Sequence, residues 1–161
     1  MVAKLRDINL YYEMHGQGKP VVLLHGLTLD GSTWHEVVDL FSDQAQFIVP
    51  DLRGHGKTSS GEANGSLEQF ADDLFALINH LQLGKITLVG HSLGGYIALA
   101  FAEKYEEKLE ALIMVTSNAL SDSPEKIELR LAEIDKAMQH GMAAVAEPMA
   151  QKLTNSVEKV N

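Results

Sequence analysis

The sequence predicts an α/β protein: a mostly parallel sheet with helices on both faces, then a helical pair. Three observations predict it. Short continuous apolar runs recur at Val21–Leu24, Phe47–Val49, Ile86–Val89 and Leu112–Val115, the pattern of strands buried on both faces. Between these runs lie helix-length segments, which makes the repeat βαβ. After about residue 115 the alternation stops, and two helical segments follow without a strand. The chain therefore divides into a core, residues 1–122, and a helical segment, residues 123–161.

Each element has its own signal. Ile8–Met14 is rich in Tyr and aliphatics and ends in glycines and a proline at residues 15–20, which is turn chemistry. It is expected to join the sheet as an antiparallel edge. Ser32 is expected to cap a helix carrying Trp34, Val37, Val38 and Phe41. Ser66-Leu67-Glu68-Gln69 is a capping box. It opens a helix with one apolar stripe, Leu67, Phe70, Ala71, Leu74, Leu77, Ile78 and Leu81, and Gly84 is expected to end it. A small-residue helix follows Gly95 and runs through Tyr105. Ser123-Pro124-Glu125 starts the next helix, with a stripe at Ile127, Leu131, Ile134 and Met138 and a stop at Gly141. The last helix carries Met142, Val145, Met149 and Leu153 and is expected to be interrupted at Pro148.

Composition narrows the function. The 161 residues carry 13 Lys+Arg against 22 Asp+Glu, a formal charge of −9. The acids are spread evenly, eleven before Ser92 and eleven after. That balance opposes binding to nucleic acid or to an anionic membrane surface. No cysteine is present, which excludes disulfides, thiolate metal sites and a cysteine nucleophile. The longest apolar run is the seven residues Tyr96–Ala102, too short to span a bilayer. Residues 1–6 lack the apolar stretch of a signal peptide, so the expected location is the cytoplasm.

The strongest chemical signal is Gly90-His91-Ser92-Leu93-Gly94. It is a G-x-S-x-G nucleophile elbow in the required context, after a buried strand and before a helix. So sharp a turn forces its central residue into a strained backbone. Side chains two positions to either side would meet neighbouring backbone, hence glycine at 90 and 94. The turn lifts the Ser92 hydroxyl clear of the sheet. It also sets the Leu93 N–H at a helix N-terminus, where negative charge is favoured. The second signal is His25-Gly26-Leu27, directly after the Val21–Leu24 strand. A loop here supplies the second oxyanion donor in acyl-transfer sites, so the Leu27 N–H is paired with that of Leu93. His25 reads as loop support, and His25 and Gly26 are grouped with the binding residues.

The third segment is Asp51-Leu52-Arg53-Gly54-His55-Gly56-Lys57-Thr58. Its Gly-Lys-Thr resembles a phosphate-loop tail, but the first glycine of that motif would fall at Asp51. Its Gly-x-Gly resembles a dinucleotide loop, but the third glycine would fall at Ser59. The segment reads as a rigid polar loop at a strand end, with Asp51 and Arg53 bonding the backbone. His35-Glu36-Val37-Val38 starts like a zinc motif, but the second ligand position holds Asp39. No metal or cofactor is expected.

At these motifs the chain resembles the α/β-hydrolase superfamily. The His-Gly turn, the Asp-x-Arg-Gly-x-Gly-x-Thr loop and the Gly-His-Ser-Leu-Gly-Gly elbow occur in that family's order, and Trp34, nine residues past His25, also fits. The resemblance covers Ile8 to about Ser117, and residues 124–160 look like the start of the family's helical cap. It implies a hydrolase core of the branch of small serine carboxylesterases, lactonases and cofactor-free perhydrolases. The implied activity is carboxylic ester hydrolysis on a small ester or related acyl compound, through an acyl-enzyme on Ser92. Ser92 argues against haloalkane dehalogenases and epoxide hydrolases, which use an aspartate at the elbow.

In that family the acid and then the histidine follow the serine on later strands. Only 69 residues follow Ser92, and nothing after Val115 reads as a strand. The resemblance thus implies a core lacking its C-terminal part, without its own acid and histidine and so inactive alone. Asp122 is the candidate acid, by its place after the fourth apolar run. Among candidate bases, His140 sits at a helix end, His91 should face away from the Ser92 side, and the others have no argued path to Ser92. Met138 and Met142 are candidate lid residues, since methionine adapts to small apolar groups. The alternative is a non-catalytic fragment or ligand-binding module that keeps the elbow and oxyanion loop without a triad. The expected partner is a small substrate, with no nucleic acid and no membrane. A second copy of the chain is the other candidate, through the exposed sheet edge or the cap.

Overall fold

The computed structural model describes residues 1–62 and 65–154. Contacts divide the chain into two compact units, Met1–Ala119 and Leu120–Asn161. The first unit holds six strands: β1 (Val2–Leu5), β2 (Ile8–His15), β3 (Pro20–Leu24), β4 (Gln46–Pro50), β5 (Ile86–His91) and β6 (Leu109–Val115). They form one sheet in the order β1-β2-β4-β3-β5-β6. The pairs β4–β3, β3–β5 and β5–β6 are parallel; β1–β2 and β2–β4 are antiparallel.

The strands' alternation feeds two cores. Val22, Leu24, Ile48, Ile86 and Leu88 face one side, packing with Leu74, Leu77 and Ile78 of α2 (Leu67–His80) and Ile97 and Phe101 of α3 (Leu93–Tyr105). Leu23, Phe47, Val49 and Val89 face the other, packing with Trp34 and with Val38 of α1 (His35–Phe41). Helices thus cover both faces, and the parallel strands read as unbroken apolar runs for that reason. Strand β6 ends the sheet order. Its Ile113 is 47% exposed.

Four local expectations are corrected. Ile8–Met14 is not the edge: β1 lies outside β2, joined by a turn at Arg6 and Asp7. That strand is four residues long, and the turn holds Arg6 at φ 42, so no glycine announces it. The cap before α1 is Asp30, whose carboxylate accepts from the Ser32 N–H at 2.9 Å. It opens a 3-10 turn, Gly31–Trp34, ahead of the α-helix. Helix α2 ends at His80, before Gly84, with Gln82 in the left-handed region at φ 54. The Leu83 N–H bonds the Ile78 carbonyl at 3.0 Å, while Leu81 and Leu83 pack against the core. Packing of these partly buried leucines against the core holds Gln82 where glycine would be favoured.

The second unit holds α4 (Pro124–His140) and α5 (Ala143–Thr154). Ser123 caps α4, and Gly141 ends it at φ 80, its N–H bonding the Ala137 carbonyl. Pro148 does not interrupt α5, which is the fourth correction. The helix runs through it and forgoes one backbone bond, since proline has no N–H. Residues 155–161 of the expected cap, and the side chain of Leu153, lie outside the described residues.

Candidate active site

Ser92 sits between β5 and α3 with φ 50 and ψ −111. That backbone conformation is strained for a residue with a side chain, and the surroundings hold it there. The Ser92 N–H donates to the Val115 carbonyl at 3.1 Å, and the Ser92 carbonyl accepts from the Gly95 N–H at 2.9 Å. The Ser117 hydroxyl donates to the same carbonyl at 2.9 Å. A Cβ on residue 90 would lie 2.3 Å from the Gly94 carbonyl oxygen. One on residue 94 would lie 2.6 Å from that of Leu24. Both glycines are therefore steric necessities of this turn.

Ser117 is the residue that sequence reasoning missed. Its hydroxyl fills the notch left by Gly95, where a Cβ would lie 2.3 Å away. It follows β6 with no motif around it, so only the folded chain reveals it. Ser117→Ala is expected to cost about 1 kcal/mol, the value of one partly buried hydrogen bond. A urea midpoint unchanged by the substitution would show that the Ser92 carbonyl is held well enough by the Gly95 amide alone.

His25 is fully buried after β3. Its Nε2 accepts from the Leu52 N–H at 2.9 Å, and its Nδ1 lies 2.8 Å from the Gly26 carbonyl oxygen. An amide can only donate, so Nε2 is bare and Nδ1 carries the proton. Burial pushes the pKa of this ring down, and a neutral imidazole results. It cannot serve as the base for Ser92, because both nitrogens are committed. Gly26 packs beside the elbow: a Cβ there would lie 3.0 Å from His91 Nδ1 and 3.3 Å from Ser92 Cβ. Gly26, Leu27, Thr28 and Leu29 form a turn closed by the Leu29 N–H on the Gly26 carbonyl at 3.3 Å. Thr28 takes φ 63 at its third position, where a β-branched residue is unusual. Leu27 lies three residues past the end of β3, and Leu93 opens α3; the two strands they follow pair in parallel, with Leu24 opposite Gly90. Neither amide donates a hydrogen bond among the described residues.

The loop after β4 braces this arrangement. The Asp51 carboxylate accepts from the Gly31 and Lys57 amides, each at 2.8 Å. Arg53 does more than bond backbone. Its Nε and Nη2 donate to the two Asp73 oxygens at 2.7 Å each, and Nη1 and Nη2 donate to Asp7 at 2.8 and 3.0 Å. Its side chain is 3% exposed, that of Asp73 4% and that of Asp7 32%. One guanidinium therefore ties the β1–β2 turn, the loop and α2 together.

The other candidates lie elsewhere. Asp122 belongs to the second unit, where its carboxylate pairs with Lys126 at 2.8 Å and Arg130 at 2.5 Å. Those cations hold its carboxyl below the usual carboxylate range. Met138 and Met142 are also in that unit and are exposed. The structure brings together Ser92, Leu93, His25, Gly26 and Leu27. Among the described residues no imidazole or carboxylate hydrogen-bonds the Ser92 hydroxyl. No group of three or more His, Asp or Glu among them is arranged to hold a metal. No helix among them is long and apolar enough to cross a membrane.

Comparison with known proteins gives a consistent result. The family model described as "alpha/beta hydrolase fold" matches residues 19–157. The chain is similar to a thermophilic esterase from Thermogutta terrifontis, with 39% identity and a TM-score of 0.86, over 92% of this chain and 57% of that one. It is similar to the enol-lactonase from Burkholderia xenovorans LB400, with 25% identity and a TM-score of 0.85, over 93% of this chain and 58% of that one. The non-heme chloroperoxidase CPO-A1 of Kitasatospora aureofaciens is 38% identical over 96 residues, 58% of this chain and 35% of its own length. The chain spans 31–40% of the length of the curated relatives it matches.

Proposed function

Because the chain belongs to the α/β-hydrolase fold family, we propose that it acts, alone or as part of a longer protein, as a serine hydrolase on a small carboxylic ester or related acyl compound. The observation that carries this reading is the Ser92 backbone, at φ 50 and ψ −111 between two glycines that no side chain could replace. Strain of this kind is kept where it presents a reactive group. Similarity to an esterase and an enol-lactonase supports an open-chain or cyclic ester as substrate.

The chemistry follows from the groups present. The Ser92 Oγ attacks the ester carbonyl carbon as a base removes its proton. The carbonyl oxygen becomes an oxyanion and accepts from the Leu27 and Leu93 amides. Collapse of the intermediate breaks the bond to the alkoxy oxygen, which takes the proton back from the base and leaves as the alcohol, with the acyl group on Ser92. Water then attacks the acyl carbon as the same base takes its proton; the bond to Oγ breaks, Oγ regains the proton, and the acid is released. Each oxyanion donor is worth about a hundredfold or more in rate. The base is not assigned to any described residue.

The second reading is a binding module that keeps the elbow and oxyanion loop without turnover; it is favoured by the Ser92 hydroxyl, which hydrogen-bonds no imidazole or carboxylate among the described residues. A fluorophosphonate probe with intact-mass readout separates the two. The expected result is one adduct per chain, mapped to Ser92 and abolished in Ser92→Ala. A folded chain that takes up no probe and hydrolyses no short-chain ester leaves the binding reading in possession.

A further inference from the structure

We infer that Ser117 is a positioning residue for the reaction at Ser92: its hydroxyl, carried just past the end of β6, holds the Ser92–Leu93 peptide and so fixes and strengthens the Leu93 N–H as a donor. The inference rests on the reading of Ser92 as nucleophile given above, and it adds what holds that peptide in place. The Ser92 carbonyl accepts from two donors, the Gly95 N–H and the Ser117 hydroxyl, each at 2.9 Å. The first lies three residues on, in the opening turn of α3, so the carbonyl points along the helix. A trans peptide is planar, with its C=O and the following N–H opposed. The Leu93 N–H therefore points off the N-terminal end of α3, where no carbonyl of the helix can accept from it. Hydrogen bonds to a carbonyl also polarise its peptide, and the N–H in the same plane donates more strongly for it. The Gly95 bond alone would leave that plane freer to tilt and less polarised.

The segment that ends β6 makes this contact in company with a second one. Strand β6 pairs in parallel with β5, with Val115 opposite His91. The Val115 carbonyl accepts from the Ser92 N–H at 3.1 Å. Two residues later the Ser117 hydroxyl reaches the Ser92 carbonyl. One segment thus grips both backbone groups of the nucleophile residue. Thr116, between the two contacts, takes φ 44 in the left-handed region, a strained place for a β-branched residue. It turns the chain out of the strand between them. Strained residues persist where their surroundings over-determine them, and Ser92 and Thr116 are held by the same pair of hydrogen bonds. Helix α3 makes the room: a Cβ on residue 95 would lie 2.3 Å from Ser117 Oγ and 2.5 Å from its Cβ.

The test compares the full chain, labelled with 13C and 15N, with Ser117→Ala, which removes the donor, and Ser117→Thr, which keeps a hydroxyl. Fluorophosphonate uptake is followed in buffer where urea curves show each protein folded, so that the rate is that of the folded chain. In Ser117→Ala this rate should fall about three- to tenfold, the kinetic equivalent of one neutral hydrogen bond. Ser117→Thr should recover most of the loss. The Ser92 carbonyl carbon and the Leu93 amide resonances should move in Ser117→Ala and return toward their wild-type positions in Ser117→Thr. A serine that only stabilises the fold would lower the urea midpoint and leave the rate of the folded chain as it was. That result overturns the inference, as does a Ser92 or Leu93 resonance that stays put in Ser117→Ala, or a folded Ser117→Thr as slow as Ser117→Ala. Should Ser117→Thr fail to fold, Ser117→Ala decides by its rate and its resonances. If wild type takes up no probe, the hydrolase reading falls, and the two resonances judge the grip of Ser117 on the peptide separately.

Discussion

Replacing Arg53 with methionine is expected to destabilise the first unit by about 3–5 kcal/mol, the cost of removing one partner from a buried ion pair. The magnitude comes from Asp73. Its side chain is 4% exposed and spends both oxygens on Arg53, so the substitution strands a carboxylate with little water to solvate it. Asp7 is one-third exposed and rehydrates more easily. The double variant Arg53→Met with Asp73→Leu should therefore regain much of the loss, since an apolar replacement of a buried pair is often tolerated. Urea denaturation of the three proteins checks this. A single variant within about 1 kcal/mol of wild type, in the range of an exposed pair, would sink the claim that the network braces the fold.

The same network predicts a pH dependence. The hydrogen bonds from Arg53, then that from the Glu62 amide, hold the Asp7 carboxyl well below its ordinary value of 3.8. A carboxyl lowered in the folded state binds its proton more weakly there than in the unfolded chain. Its contribution is present in full above the unfolded value and is lost as pH falls below about 4 toward the folded one. Wild type should lose stability across that window. Asp7→Asn should show a shallower loss there, and equal slopes for the two proteins would exclude Asp7 as the cause.

Gly90→Ala is the second large effect, expected to cost about 3 kcal/mol, the upper end of ordinary overpacking. The new methyl would lie 2.3 Å from the Gly94 carbonyl oxygen, which is backbone and cannot rotate aside. The first turn of α3 must move, and with it the Leu93 N–H. Gly84→Ala is the matched control, because a Cβ there meets nothing within 4 Å and Gly84 has no left-handed φ. Comparable urea midpoints for the two variants would remove the steric basis of the elbow.

How much of this could be read in advance depended on whether the cause was local. The four parallel strands were legible because burial on both faces leaves an unbroken apolar run. The elbow was legible because its glycines and serine fall within five residues. Strand β1 was not, since Val2–Leu5 is short and its turn relies on Arg6 at φ 42. Arg53 was visible as part of a motif, but its partners Asp7 and Asp73 lie 46 and 20 residues away. Only the fold brings them together. Ser117 and the strained Thr28 carry no sequence mark at all, because a serine after a strand is ordinary and threonine is a poor omen of left-handed backbone.

The strand order carries one more consequence. From β3 the chain steps to β4 on one flank, and later from β5 it steps to β6 on the other. Right-handed crossovers then send the two departing segments over opposite faces of the sheet, with Trp34 and Val38 on one side and Ile97 and Phe101 on the other. Winding alone therefore puts the switch point, the place where open α/β sheets receive their ligands, between the carboxyl ends of β3 and β5. Leu27 follows the first of these strands and Ser92 the second. On the proposed reading, choice of substrate would change through the surrounding loops while the paired strands stay as they are.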